Sequence, residues 1–266
     1  MNGTDDREFV QSLAKGLGVI EAFGQDTPAM TLSEVARKNG LSPGSARRVL
    51  RTLQQLGYVQ SDGHRFALAP RTLQLGYSYL ASQPITSLVQ PRLTQLTQEF
   101  EGSCSVSVLD GTDVVYVARA TGKGLTRDYM SVGTRFPAHA TSPGKVLMAA
   151  LPPAEIKKRL NGRKLEALTP HTISTADKLV QELEEVRKKG WAVNNQETSL
   201  GHRSIAVPLR IDDQVVAALG IGCVVARVTL KVMVDEYLPK LMDEAASLSE
   251  ALGAGERSKG TFQRLR

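Results

Sequence analysis

The chain has 266 residues, 41% of them hydrophobic, and a net charge of +6. That is long for one domain and comfortable for two with real cores. It excludes a membrane span, because no apolar run approaches the ~20 residues that a bilayer requires.

The start, MNGTDDREFV, has neither a basic nor an apolar stretch, so no secretory signal is expected. Cys104 and Cys223 sit in apolar, strand-like segments and read as buried thiols of a cytoplasmic protein. A first helix is expected from about Glu8 to Ala22, with Phe9, Leu13, Leu17 and Ile20 as its buried stripe. In TLSEVARKNG, Leu32, Val35 and Ala36 share one helical face, and Gly40-Leu41 turns the chain. Ser42 is a good N-cap with proline at the next position, opening a second helix. Ala46, Val49, Leu50, Leu53 and Leu56 are its buried stripe. Ser45, Arg47, Arg48 and Arg51 are left outside, and Gly57 ends the helix. Tyr58 to Leu68 then reads as a short hairpin around Ser61-Asp62-Gly63.

Helix, turn, helix and hairpin from Thr31 to Phe66 make a winged helix-turn-helix, which places its second helix in the DNA major groove. Charge agrees. From Val35 to Arg71 there are seven Lys/Arg against one acid, Asp62, although Glu34 lies just outside that window. The rest of the chain is nearly balanced, so this is no uniformly basic coating protein. The residues expected to meet DNA are Ser42, Gly44, Ser45, Arg47, Arg48, Arg51 and, from the wing, Arg65. The bland alternative is a small helical domain with solvated arginines.

Pro70 to Ala81 reads as a helical linker, Pro84 as a break, and Thr86 to Phe100 as the opening helix of a second domain. From Ser103 the period becomes alternating. SCSVSVLD and DVVYVARA flank Asp110-Gly111-Thr112, and Ser204–Leu209 and Val215–Gly220 flank Asp212-Asp213, which predicts two hairpins. Between them lie two helices, one from Ser142-Pro143 through Ala150 and one from Asp177 to Lys189 stopped by Gly190. A final helix spans Leu230 to Leu252, and the segment after Gly253 reads as a frayed polar tail. The expected organisation is a winged helix-turn-helix domain (1–69), a linker (70–85), an α+β domain with an antiparallel sheet (86–253) and a tail (254–266).

Catalytic motifs are missing. Thr141 to Val146 looks like a phosphate loop, but His139 stands where its first glycine belongs and Val146 where Ser/Thr belongs. There is no G-x-S-x-G elbow, and the four histidines and two cysteines lack metal-ligand spacing. No enzyme, cofactor or metal is expected. As a binding element the Ser142 segment has more to offer. A helix start presents N–H groups and a positive dipole end to a carboxylate, with Ser142, Gly144 and Lys145 as candidates, and Ser142 also serves as the helix cap. Arg119 and Arg203 are candidate carboxylate partners, with a structural pairing, for instance to Glu197, favoured for Arg203. Met130, Phe136 and Leu219 are candidate apolar walls.

Together the stretches SLAKGLGVIEAF, LSEVARKNGLSPGSARRVLRTLQQLGYV, SVGTRFPAHATSPGKVLMAAL, GWAV…RSIAVPL and VVAALGIG resemble the IclR family of bacterial transcriptional regulators. The wording around Met130 to Ala149 is closest to its aromatic-acid branch, the protocatechuate and 4-hydroxybenzoate regulators. The resemblance implies a winged helix and a C-terminal effector domain related to GAF and PAS folds, working as a homodimer or homotetramer on an operator with inverted-repeat symmetry. It also implies an effector pocket lined by the Ser142 helix start, the Asn194–Ser204 segment with His202, and the last hairpin with Gly220 and Gly222. Family members sensing small keto acids place acidic, thiol or hydroxyl groups at Asn194, Ser204, Gly220 and Gly222. A neutral Asn194 and two glycines favour a larger effector with an apolar body, the alternative for the glycines being relief of strand crowding near a bulge. The implied function is a regulator of aromatic-acid catabolism responding to an aromatic carboxylate. The competing reading is a sensor or small-molecule enzyme domain whose winged helix docks a protein, a role with no need for three outward arginines.

Overall fold

The computed structural model describes residues 8–122 and 130–259, and divides into one compact unit through Tyr79 and another from Leu80. In the first unit α1 (Gln11–Glu21) precedes β1 (Ala29–Thr31), α2 (Leu32–Lys38) and α3 (Pro43–Gln55), followed by β2 (Val59–Ser61) and β3 (Arg65–Leu68). Thr31 begins α2 with a capping box: its Oγ1 accepts from the Glu34 N–H at 3.3 Å, and its own N–H donates to Glu34 Oε2 at 2.7 Å. Gly40 and Gly57 take the positive φ that ends α2 and α3. Val19, Met30, Val35, Leu50, Leu53 and Val59 close the core.

Three expectations for this unit change. The wing is a three-stranded sheet of order β1-β3-β2, because Ala29–Thr31 pairs with β3. Leu56, at the C-cap of α3, is exposed rather than buried, since the helix ends before its stripe returns to the core. Most of the α1 stripe is also outside: Phe9 is 58%, Leu13 62% and Leu17 46% exposed, while Val19, Ala22 and Phe23 face inward. Periodicity locates an apolar face but does not name its partner.

α4 (Leu73–Ser82) crosses from one unit to the next, and α5 (Pro84–Glu99) opens with its proline in the first turn. The second unit is built on a six-stranded antiparallel sheet of order β6-β5-β4-β9-β8-β7, comprising β4 (Ser103–Asp110), β5 (Asp113–Thr121), β6 (Arg135–Pro137), β7 (Ala192–Asn195), β8 (His202–Ile211) and β9 (Gln214–Val224). Both expected hairpins are present. Asp212 and Asp213 both have positive φ, as a two-residue turn of the mirror-image type requires.

Side-chain alternation gives the sheet two cores. Cys104, Val106, Leu219 and Ile221 face α5 and α10 (Leu238–Lys259). Val114, Tyr116, Ala206 and Ala218 face α6 (Ser142–Ala149) and α8 (Ala176–Lys189). Burial pushes both cysteine thiols up to about 12, as inert core thiols. The short strands β6 and β7 were not expected, because three or four residues carry no readable period, and neither was the eight-residue helix α7 (Pro153–Leu160). The last helix begins with α9 (Leu230–Val232), passes through a π-helical stretch (Met233–Tyr237) and continues to Lys259. The segment after Gly253 is therefore helical that far, not frayed, and 260–266 lie outside the described residues. No helix among the described residues is long and apolar enough to cross a membrane.

Candidate functional site

Two surfaces gather the polar residues that the sequence singled out. The first is the outer face of α3. Ser42 Oγ accepts from the Ser45 N–H at 3.3 Å, and Ala46, Leu50 and Leu53 dock the helix. Gly44, Arg47, Arg48 and Arg51, at spacings of three and four, then share the opposite face, and all are exposed. On the wing, Asp62 Oδ1 accepts from the N–H groups of His64 and Arg65 at 2.8 and 2.7 Å, which holds the turn and leaves the Arg65 side chain in solvent. Those bonds hold the Asp62 carboxyl below its ordinary range. Arg71, part of the basic stretch, is spent structurally: it donates to the Leu56 carbonyl at 2.8 Å and lies over Tyr58.

The second is a cleft at the α6 face of the sheet. Its walls include Arg119, Met130, Ser142, His202, Ser204, Gly220 and Gly222 from the expected set, together with Ser103, Ser105, Tyr116, Pro143 and Ile221. Register explains the gathering: Ser105 pairs across the ladder with Arg119 and with Gly220, and Gly222 pairs with Ser103 and with Ser204. Ser142 Oγ and Ser204 Oγ meet at 2.7 Å. Burial lowers the Arg119 pKa and raises that of Tyr116. Burial, then the nearby Arg119 charge, push His202 down to about 4, so the imidazole is neutral. Its Nδ1 is buried without a hydrogen-bond partner among the described residues. The space left between its walls is about 10 Å³, room for about one water.

The other expected effector residues lie elsewhere. Leu219 alternates with Gly220 and faces the opposite core. Phe136 does not line the cleft but packs edge-on, at 6.0 Å, behind Tyr116, which does. Gly144 is pressed on Ala138, where a Cβ would stand 2.1 Å from the carbonyl oxygen, so glycine is required there for close backbone approach. The helix start is not an open carboxylate cradle. Thr141, not Ser142, is the cap: its Oγ1 takes the Gly144 N–H at 3.0 Å and its carbonyl takes the Lys145 N–H at 3.0 Å. The Lys145 ammonium is buried against Glu197 Oε1 at 2.6 Å. Asn194 is committed to the Glu197 N–H at 2.7 Å and to Thr198 Oγ1 at 2.9 Å. Arg203 holds Asn195 Oδ1 and the Val228 carbonyl, a structural role as expected but with partners other than Glu197.

Comparison with known proteins places both surfaces in one family. The model of the IclR helix-turn-helix domain matches residues 12–63, and that of the bacterial transcriptional regulator IclR C-terminal domain matches 77–250. The chain belongs to the IclR family of bacterial transcriptional regulators. It is 36% identical over 251 residues to the Pca regulon regulatory protein of Pseudomonas putida, covering 94% of this chain and 86% of that protein. Among solved structures it resembles a putative transcriptional regulator of Rhodococcus sp. RHA1, at 41% identity and a TM-score of 0.80, covering 92% of this chain and 99% of the other. It also resembles a double mutant of the PobR inducer-binding domain of Acinetobacter, solved with 3-hydroxybenzoic acid, at 31% identity and a TM-score of 0.57, covering 61% of this chain and 96% of that one. This is a family of DNA-binding regulators rather than enzymes, which settles against the enzyme-domain alternative.

Within this family member, the cleft residues that sequence reasoning missed had a readable signal. In SCSVSVLD the serines at 103, 105 and 107 alternate with Cys104, Val106 and Val108, so a polar face is written into a strand that the fold buries. Tyr116 carried none, because a bulge between Val106 and Ser107 shifts the register that decides which face it takes.

Proposed function

We propose that the chain reads an operator through α3 and the wing, and that a hydroxy-substituted aromatic acid bound in the cleft changes its affinity for that operator. The observation that carries this reading is the convergence of Arg119, His202 and the Ser142–Ser204 pair on one cleft, in a chain similar to a protein solved with 3-hydroxybenzoic acid. A guanidinium matches a carboxylate with two donors, the hydroxyls and imidazole match a phenol, and Met130 and Tyr116 supply apolar wall.

The volume constrains the mechanism. A cleft with room for about one water cannot admit a benzene ring until its walls part. Ligand therefore acts by its differential affinity for a more open arrangement. Calorimetry with 3-hydroxybenzoic, 4-hydroxybenzoic and protocatechuic acids tests the ligand class; binding no tighter than acetate rejects it.

The DNA-reading species is a dimer. One winged helix covers few base pairs, and two related by a two-fold axis read an inverted repeat with half-sites about one helical turn, or a multiple, apart. The exposed Phe9-Leu13-Leu17 stripe, and Leu73 and Tyr77, 76% and 70% exposed on α4, supply the apolar surface that a partner copy covers. Sedimentation of the wild-type chain and of Leu13→Ser at micromolar concentration tests this. A wild-type monomer, with and without operator, rejects it.

A further inference from the structure

Lys145 and Glu197 do not line the cleft, yet each sits one step behind it. Lys145 is one helical turn from Ser142, and Glu197 lies in the loop that ends at His202, which the Gln196 N–H closes on the His202 carbonyl at 2.9 Å. The Lys145 side chain is 2% exposed; its Nζ donates to Glu197 Oε1 at 2.6 Å and to the Val193 carbonyl at 3.1 Å, with Glu182 at 3.6 Å. The loop is held from the other side as well. Thr169 Oγ1 donates to the Gln196 carbonyl at 2.7 Å, Thr172 Oγ1 donates to the Glu197 carbonyl at 2.6 Å, and Asn194 Oδ1 takes the Glu197 N–H at 2.7 Å. Gln196 accepts a positive φ to make this geometry.

A buried ion pair is a poor way to gain stability, since desolvating two charges offsets their attraction and apolar replacement is often neutral. Its distinctive property is direction: it allows one arrangement of the elements it joins. Here it joins the helix that carries Ser142 to the loop and strand that carry His202 and Ser204. Glu197 Oε2 is buried with no hydrogen-bond partner among the described residues, so the carboxylate is held chiefly through the oxygen that faces Lys145.

We propose that the Lys145–Glu197 pair is the positioning device of the effector cleft, fixing the first turn of α6 against the 196–204 segment so that the Ser142–Ser204 contact and the imidazole stand where the effector meets them. This rests on the cleft reading given above, and the experiment separates the two. The first arm needs no ligand: hydrogen exchange of the full-length protein and of the Lys145→Met/Glu197→Leu variant, which removes both charges and keeps apolar volume. Faster exchange confined to 142–146 and 196–204, with a cooperative thermal transition retained, supports positioning. Wild-type rates in both segments overturn it, as does acceleration spread over the whole sheet. If the double variant does not fold, Glu197→Gln, which keeps an acceptor for Lys145 but not the charge, is read in the same two segments with the same meaning. The second arm is calorimetry with 3-hydroxybenzoic acid, where the variant should bind roughly tenfold more weakly; unchanged affinity overturns the proposal. A wild-type protein that binds no hydroxybenzoic acid rejects the ligand class and leaves the exchange arm to decide positioning.

Discussion

The α3 face and the cleft solve opposite problems. Arg47, Arg48 and Arg51 stand in solvent on a helix docked by other residues, so their charge costs the fold little and can be changed without harm to it. Ser142 and Ser204 are buried and Arg119 and His202 are half-buried among the strands of the sheet, so each serves recognition and packing at once. A surface site is therefore separable from the scaffold, whereas a buried site is part of it.

Four changes break or sharpen that contrast. The largest effect is expected for Arg119→Met, which should cost ~2–5 kcal/mol of effector affinity by leaving a carboxylate buried without its partner. Calorimetry measures the loss, and operator affinity without effector should stay within error. Next come Arg48→Ala and Arg51→Ala. A base-reading arginine should cost ~1–3 kcal/mol at one base pair, and a phosphate-contacting one should lower the salt slope of log K by about 1. Fluorescence anisotropy with operator DNA reads both, and the thermal midpoint should not move.

The third effect is a pH dependence. His202 titrates at about 4 in the fold against 6.5 when unperturbed, so between those values the unfolded chain binds the extra proton. The stabilising contribution is fully present above pH 6.5 and is lost as pH falls through 4, by on the order of 3 kcal/mol in total. Urea unfolding across pH 4–7 should show this slope, and His202→Gln should lose it. The smallest effect separates the two cleft glycines. A Cβ on Gly222 would stand 2.9 Å from His202 Nε2, while one on Gly220 meets nothing nearer than the Ile205 carbonyl at 3.3 Å. Gly222→Ala should cost about 1 kcal/mol or more and weaken effector binding by displacing the imidazole. Gly220→Ala should cost less in unfolding experiments.

The same contrast decides what the sequence disclosed. The helix-turn-helix was legible because caps, glycine stops and arginine spacing are local: Ser42, Gly57 and Arg47 to Arg51 mean nearly the same whatever packs behind them. The hairpins and α8 were legible for the same reason. The cleft was only half legible. The structure brings Arg119, Met130, Ser142, His202, Ser204, Gly220 and Gly222 to one cleft, whereas Leu219, Phe136, Gly144, Lys145 and Asn194, expected with them, lie outside its lining. Leu219 fails by strand parity, which is local and could have been applied. Lys145 and Asn194 fail because their partner, Glu197, lies on a loop, and no pattern shows that it buries its carboxylate beside α6. Gly222 was read as space for a ligand, whereas His202 already occupies that space.

The central claim is that an aromatic acid in the cleft controls what the arginines of α3 do. Operator affinity measured at one fixed salt concentration, with and without saturating 3-hydroxybenzoic acid, for the wild-type protein and Arg119→Met, tests it most directly. The account predicts about a tenfold change in the wild-type protein, equivalent to ~1.4 kcal/mol of coupling, and none in the variant. No change in the wild-type protein, or the same change in both, contradicts it.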